Sequence, residues 1–136
     1  MKVSNDVKNA MLGFYSGVTN KEVERFDDLV SKDATLIFGT APGENVTERA
    51  GMRFGFEMEG LSLKAGKNPA GYEEGTMGWA VDEPTFGFPD GSKLHIRLTI
   101  VMRKEDGKWK IVHGHFSVGV PDDQVVLLQK QWAKAA

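Results

Sequence analysis

The sequence predicts an α+β fold, with helices first and an antiparallel sheet after them. Three observations carry that prediction. Apolar residues recur at helical spacing along the front of the chain, they alternate at strand spacing in the back, and turn signals separate the alternating runs. At 136 residues the chain is long enough to bury one core and not two, so a single domain spanning 1–136 is expected.

The front half sets out the helices. In "SNDVKNAMLGFYSGV", Val7, Ala10, Met11, Phe14 and Val18 share a helical face, with Ser4 or Asn5 as the cap. Thr19 to Glu22, "TNKE", fits a capping box for a second helix with Val23, Phe26, Leu29 and Val30 as its apolar face. "ATLIF" (34–38) reads as a short buried strand. The stretch 47–59 alternates like a strand yet also fits a helix, and Thr47 as a cap with Gly60 as a terminator favours helix. The back half reads as strands: "GLSLKAG", a long "GTMGWAVDEPTFGF" in which Pro84 demands a bulge or an edge, "KLHIRLTIVMRKE" and "GKWKIVHGHFSVGV". Pro121 and two aspartates then open a terminal helix.

Composition excludes several classes of function. The 17 basic and 19 acidic residues are interspersed, leaving a net charge of -2 and no basic patch of the kind that binds nucleic acid. With no cysteine there is no disulfide, thiolate nucleophile or cysteine-ligated zinc. The opening "KVSNDVKNA" lacks a signal-peptide core and no run reaches membrane-spanning length, so a cytoplasmic protein without membrane contact is expected.

The pair His113 and His115 raises the possibility of a metal or catalytic site, and the turn before it decides where the two histidines point. A two-residue Asp106-Gly107 loop would pair Glu105 with Lys108 and mix charged with apolar residues on both faces. A three-residue Glu105-Asp106-Gly107 loop pairs Lys104 with Lys108 and separates them. The even-numbered residues Ile96, Leu98, Ile100, Met102, Val112, Gly114, Phe116 and Val118 then form the core face. The odd-numbered face collects His95, Arg97, Thr99, His113, His115 and Ser117, with Trp109 and Ile111 nearer the turn. In that register His95 lies opposite Ser117, beyond His115, and no carboxylate joins the histidines on these strands. No metal site is therefore expected; the face reads as a subunit interface, and a homodimer is the expected assembly.

The element order together with "DGKWKIVHGHFSVGVP" resembles the nuclear transport factor 2-like superfamily, and within it the SnoaL-like, polyketide cyclase-like group. The last strand is also similar in style to the association domain of calcium/calmodulin-dependent kinase. The resemblance implies a curved antiparallel sheet packed against N-terminal helices, a cone with a pocket at its open end. Its functional residues do not carry over. The general-base aspartate of ketosteroid isomerases falls here on Phe38, their first-helix tyrosine on Phe14 with Tyr15 one residue away, and their second acid near Thr99 or Ile100. The kinase domain's pocket arginines fall on Val81, Ile100 and Phe116.

What the resemblance leaves is an apolar pocket lined by Phe14, Tyr15, Phe38, Phe56, Trp79, Val81, Ile100 and Phe116. Polar groups that could act in it are Arg53, Tyr15, Tyr72, Asp82 and Glu83; Glu83 shares strand parity with Trp79 and Val81, unless Pro84 resets it and aims Asp82 inward. Two functions stay open. One is a binder of a small apolar or aromatic molecule, working as a cofactor-free isomerase or cyclase with a pocket carboxylate or tyrosine. The other is a non-catalytic binding or oligomerisation domain.

Overall fold

The computed structural model describes residues 1–37, 45–46 and 49–135. Strand β1 (Lys2–Val3) leads into helix α1 (Asn5–Thr19), a single 3-10 turn (Val23–Arg25) and the short α2 (Phe26–Leu29). There follow β2 (Val30–Ile37), β3 (Asn45–Val46), α3 (Arg49–Glu57), β4 (Ser62–Lys64), β5 (Ala70–Glu74) and β6 (Met77–Asp82). The chain ends with β7 (Thr85–Gly87), β8 (Lys93–His95), β9 (Arg97–Glu105), β10 (Lys108–Ser117) and α4 (Asp122–Ala135). Seven strands form one sheet in the order β1-β5-β6-β9-β10-β2-β3, antiparallel except where β10 meets β2. A second sheet holds β4-β7-β8.

Helix α1 begins where the sequence places it. The Ser4 hydroxyl accepts from the Val7 amide at 3.1 Å and donates to Glu73 at 2.6 Å, while the Ser4 amide donates to the Gly71 carbonyl at 2.8 Å. The cap thus also fastens the helix to β5. Gly71 is the point of closest approach: a Cβ there would lie 2.5 Å from the Lys8 amide nitrogen. Val7, Met11, Phe14, Tyr15 and Val18 face the sheet. Phe56 of α3 lies against Gly17 and meets Phe14 and Phe26 edge-on at 5.6 and 5.3 Å.

The second helix is shorter than its apolar face suggests. Thr19 is not its cap but the last residue of α1; its hydroxyl exchanges hydrogen bonds with the Leu63 backbone. Val30 already belongs to a strand, because β2 runs from there to Ile37. Thr47 lies outside the described residues. The long strand around Pro84 is divided between β6 and β7, and "KLHIRLTIVMRKE" is divided at Ile96. Both breaks occur together: Asp82 pairs with Leu98 and Thr85 with His95, one register carried through the bend, and the Pro84 carbonyl accepts from the Ile96 amide at 3.0 Å. The proline bends this hairpin without slipping its pairing.

The hairpin between β9 and β10 overturns the expected turn. The loop has two residues, Asp106 and Gly107, both at positive φ (50° and 79°), and Glu105 pairs with Lys108. Such a turn needs φ > 0 at both central positions, which Asp-Gly supplies. The register then shifts between Ile111 and His113, where Val112 is the extra residue of a bulge. Before the bulge Trp109 and Ile111 face the core; after it Gly114 and Phe116 do. Trp109 and Ile111 are therefore core residues, not part of the outer face. Beyond the bulge even residues pair with even, as expected, but Ser117 lies opposite Arg97 rather than His95.

Phe116 is 4% exposed, and Ile100, Met102 and Leu98 are buried on the same side. Phe116→Ala should lower unfolding free energy in urea by about 3–5 kcal/mol. A loss within about 0.5 kcal/mol, typical of surface positions, would place Phe116 outside the packed core.

Candidate functional site

The chemistry-bearing pair inside the fold is Tyr15 with Asp82. Along β6 the even residues Gly78, Ala80 and Asp82 point toward α1, so Asp82 enters the core and is only 7% exposed. It is the one buried carboxylate among the described residues. Its Oδ2 accepts from the Tyr15 hydroxyl at 3.0 Å and from the Gly66 amide at 3.0 Å. Its Oδ1 is buried with no hydrogen-bond partner. Gly66 has to be glycine for this approach, because a Cβ there would stand 2.7 Å from Oδ1 and 2.5 Å from the Glu83 carbonyl oxygen.

Burial, and then the neighbouring Asp82 carboxylate, push the Tyr15 phenol far above the usual tyrosine range. Tyr15 thus keeps its proton through the ordinary tyrosine range and donates it to Asp82. A buried acceptor without a partner costs free energy, so the packing around Asp82 offsets what its two hydrogen bonds at Oδ2 leave unsatisfied at Oδ1.

Beside this pair, one ladder position away through Leu98, lies an apolar cavity. Phe14, Leu36, Met52, Leu98, Ile100, Ile111, Gly114 and Phe116 line it. Its volume is about 10 Å³, at the lower limit of what one water needs. Neither Tyr15 nor Asp82 lines it.

Of the residues expected to line a pocket, the structure brings Phe14, Ile100 and Phe116 together around this cavity. Tyr15 turns to Asp82 and Phe56 packs between helices. Trp79 and Val81 do not point inward: on β6 the odd positions face away from the helices, with Trp79 stacked on Tyr72 at 5.6 Å and Val81 36% exposed. Glu83 is exposed as well, as is Arg53, which pairs with Glu57 at 3.0 Å. Phe38 lies outside the described residues. Leu36, Met52, Leu98, Ile111 and Gly114 of the lining, and the Gly66 amide beside Asp82, are not among the residues the sequence marks for a pocket. The even-face parity held the signal for Leu98 and the helical pattern that for Met52, whereas nothing in a loop sequence marks an amide aimed at a distant strand.

The outer face of the large sheet gathers a row of side chains from five strands: Tyr72, Trp79, Val101, His113 and Thr35. The next row is Ala70, Val81, Thr99, His115 and Ile37. Arg97 donates to Ser117 at 3.2 Å, and His113 Nδ1 lies 2.7 Å from the Thr35 hydroxyl. His95 departs from the group, because the Ile96 break carries it into the second sheet, 3.2 Å from the Thr85 hydroxyl. Among the described residues no three His, Asp or Glu side chains converge as metal ligands. No helix among them is long and apolar enough to cross a membrane.

The family model described as "SnoaL-like domain" matches residues 7–121, from α1 to the residue before α4. The chain belongs to the SnoaL-like family. Among solved structures, this SnoaL-like protein is similar to an NTF2-like protein of unknown function from Pseudomonas putida (TM-score 0.70, 13% identity, 90% of this chain and 94% of that one). It is similar also to an uncharacterised protein with a cystatin-like fold from Caulobacter vibrioides (TM-score 0.68, 18% identity, 90% and 96%). A third is the association domain of CaMKII from C. elegans (TM-score 0.66, 18% identity, 83% and 93%). At these identities the likeness is one of fold. No curated relative matches the SnoaL-like chain.

Because the folded-state phenol is raised above its unfolded value near 10, the Tyr15 contribution to stability is complete below that pH and is lost as pH climbs above it. Wild type and Tyr15→Phe should show the same phenolate absorbance near 295 nm until alkaline unfolding begins. At neutral pH Tyr15→Phe, which leaves Asp82 with a single donor, should cost about 1–3 kcal/mol by chemical denaturation. A phenolate signal in native wild type that vanishes in Tyr15→Phe would contradict the buried hydrogen bond.

Proposed function

We propose that this SnoaL-like chain binds a small apolar or aromatic molecule in the concavity between α1, α3 and the sheet, with Tyr15 and Asp82 as its polar anchor. The observation that carries the reading is the buried Asp82 carboxylate with one oxygen unpartnered, next to an apolar void. Uncompensated buried polar groups gather at functional sites. Asp82 Oδ1, the unpartnered oxygen, is the atom that could accept from a ligand, while the Tyr15 hydroxyl, donating to Oδ2, holds the carboxylate in place; a carboxylate so held is the base that a cofactor-free isomerase or cyclase requires. At about 10 Å³ the void is too small for such a molecule, so binding requires it to widen. Met52, unbranched and with three rotatable side-chain bonds, is the lining residue best able to swing and enlarge it.

Indole and cyclohexanone are suitable probes, one aromatic and one a cyclic ketone. Each should raise the unfolding free energy of wild type, by about 2.7 kcal/mol at a hundredfold excess over its Kd. Gly114→Ala should weaken both shifts, since its Cβ enters the cavity 3.0 Å from Leu36 Cδ1. Asp82→Asn, which replaces an acceptor oxygen by a donor, should weaken indole, whose N–H donates, more than cyclohexanone, whose oxygen only accepts. Absence of any shift across a panel of such probes would sink this reading.

The outer sheet face favours a second reading, a homodimer formed through Tyr72, Trp79, Val81 and Val101, with Arg97, Thr99, His113 and His115 as the polar part. A sheet face carrying a stacked aromatic pair and exposed valine suits burial against an identical face. The structural likeness to a protein named as an association domain supports it. Sedimentation equilibrium should give a dimer for wild type and a monomer for Val81→Glu, a substitution that leaves the core untouched. A monomeric wild type, or a dimer unaffected by Val81→Glu, would count against this face.

A further inference from the structure

Asp82 lacks a counter-charge as well as a donor at Oδ1. Its carboxyl lies in the core, yet none of the ion pairs among the described residues includes it. Partly covered carboxylates elsewhere do have a cation: Lys2 lies 3.3 Å from Glu73, and Arg103 lies 2.6 Å from Glu105. Lys64 and Lys67 flank Gly66 in the chain, but both are exposed and neither forms an ion pair with Asp82. The two donors that Asp82 has, the Tyr15 hydroxyl and the Gly66 amide, are neutral, and both go to Oδ2. Buried carboxylates are as a rule paired with a cation or a metal. Among the described residues no second and third ligand joins Asp82 to hold a metal ion.

A second acceptor stands close by. The position a Cβ would take on Gly66 is 2.7 Å from Oδ1 and 2.5 Å from the Glu83 carbonyl oxygen, so the two oxygens converge on one side of Gly66. A hydroxyl or an indole N–H brings one proton and uses one acceptor, whereas an ammonium brings three protons and a positive charge. On the reading that the concavity binds a small apolar molecule, we infer that this molecule carries a primary ammonium head. The head takes Asp82 Oδ1 and the Glu83 carbonyl as acceptors, and the apolar or aromatic body occupies the widened void. Folding has already withdrawn the carboxylate from water, so only the amine's own dehydration opposes the charge-assisted bond. An anion of the same shape meets an unpaired negative charge and is rejected.

Calorimetric titration of the full chain at neutral pH with 2-phenylethylamine, 2-phenylethanol and 3-phenylpropionate tests this, since the three share a phenyl body and differ in the head. The amine should bind at least about tenfold more tightly than the alcohol, and the carboxylate should bind more weakly than either. Asp82→Asn removes the charge and should bring the amine down to the affinity of the alcohol, which can donate or accept and so changes little. Gly114→Ala, whose Cβ enters the void, should weaken amine and alcohol by similar factors. If Asp82→Asn does not fold, the order of the three probes on wild type decides alone. An alcohol as tight as the amine would overturn the ammonium head while leaving the apolar-ligand reading intact, and binding of no probe would end both. An amine preference that survives Asp82→Asn in full would assign the charge to another group and overturn the proposal as well.

Discussion

The bulge at Val112 is the constraint on which the arrangement of the interior depends. The two-residue turn forces Glu105 opposite Lys108, and with an unbroken ladder that register would send Gly114 and Phe116 to the outer face. One inserted residue reverses the alternation half-way along β10. Trp109 and Ile111 on one side of it, and Gly114 and Phe116 on the other, then all face α1, α2 and α3. The tight turn and the continuous core are compatible only because the strand changes phase between them. The same phase change turns His113 outward to Thr35 and leaves the cavity without an imidazole.

That device also explains what the sequence did and did not disclose. The class of fold, the Ser4 cap, α3 and the burial of Ile100 and Phe116 follow from local patterns of charge and hydrophobicity. So does the outward direction of His113 and His115. The three-residue turn was inferred because only one uniform register could separate apolar from polar side chains, and a bulge satisfies the same requirement by a different route. Trp109 and Ile111 were assigned to the outer face for that reason alone. His95 was placed with the other histidines because nothing in "KLHIRLTI" marks the bend; the bend originates in Pro84 on the neighbouring strand. Strands β1 and β5 have little apolar alternation, and they pair because α1 brings them together.

The site shows how much a fold-level likeness leaves undetermined. The resemblance to ketosteroid isomerases directs attention to a first-helix aromatic facing the penultimate strand. In this chain Phe14 does face β9 and β10 across the cavity, but it carries no hydroxyl. The hydroxyl is on Tyr15, one residue and about 100° further round the helix, and its acid is on β6. Moving the tyrosine by one position therefore exchanges the partner strand as well as the residue. Sequence reasoning could name Tyr15 and Asp82 separately, since both are polar groups in apolar surroundings. Their pairing depends on the even-inward phase of β6, which the pattern around Trp79 and Val81 had suggested was the reverse.

Gly71 gives the same assembly a mechanical side. With no side chain between them, the first turn of α1 lies directly on the β5 backbone, pinned by the Ser4 amide and by the hydroxyl bond to Glu73. Tyr15 is seven residues beyond Lys8, about 10 Å further along a rigid helix. The contact at Gly71 therefore acts as a fulcrum, and a small tilt there is transmitted along the helix to the tyrosine hydroxyl. A methyl group at position 71, far from any acid or base, would alter the site by lifting one end of α1 and drawing the Tyr15 hydroxyl off the Asp82 carboxylate.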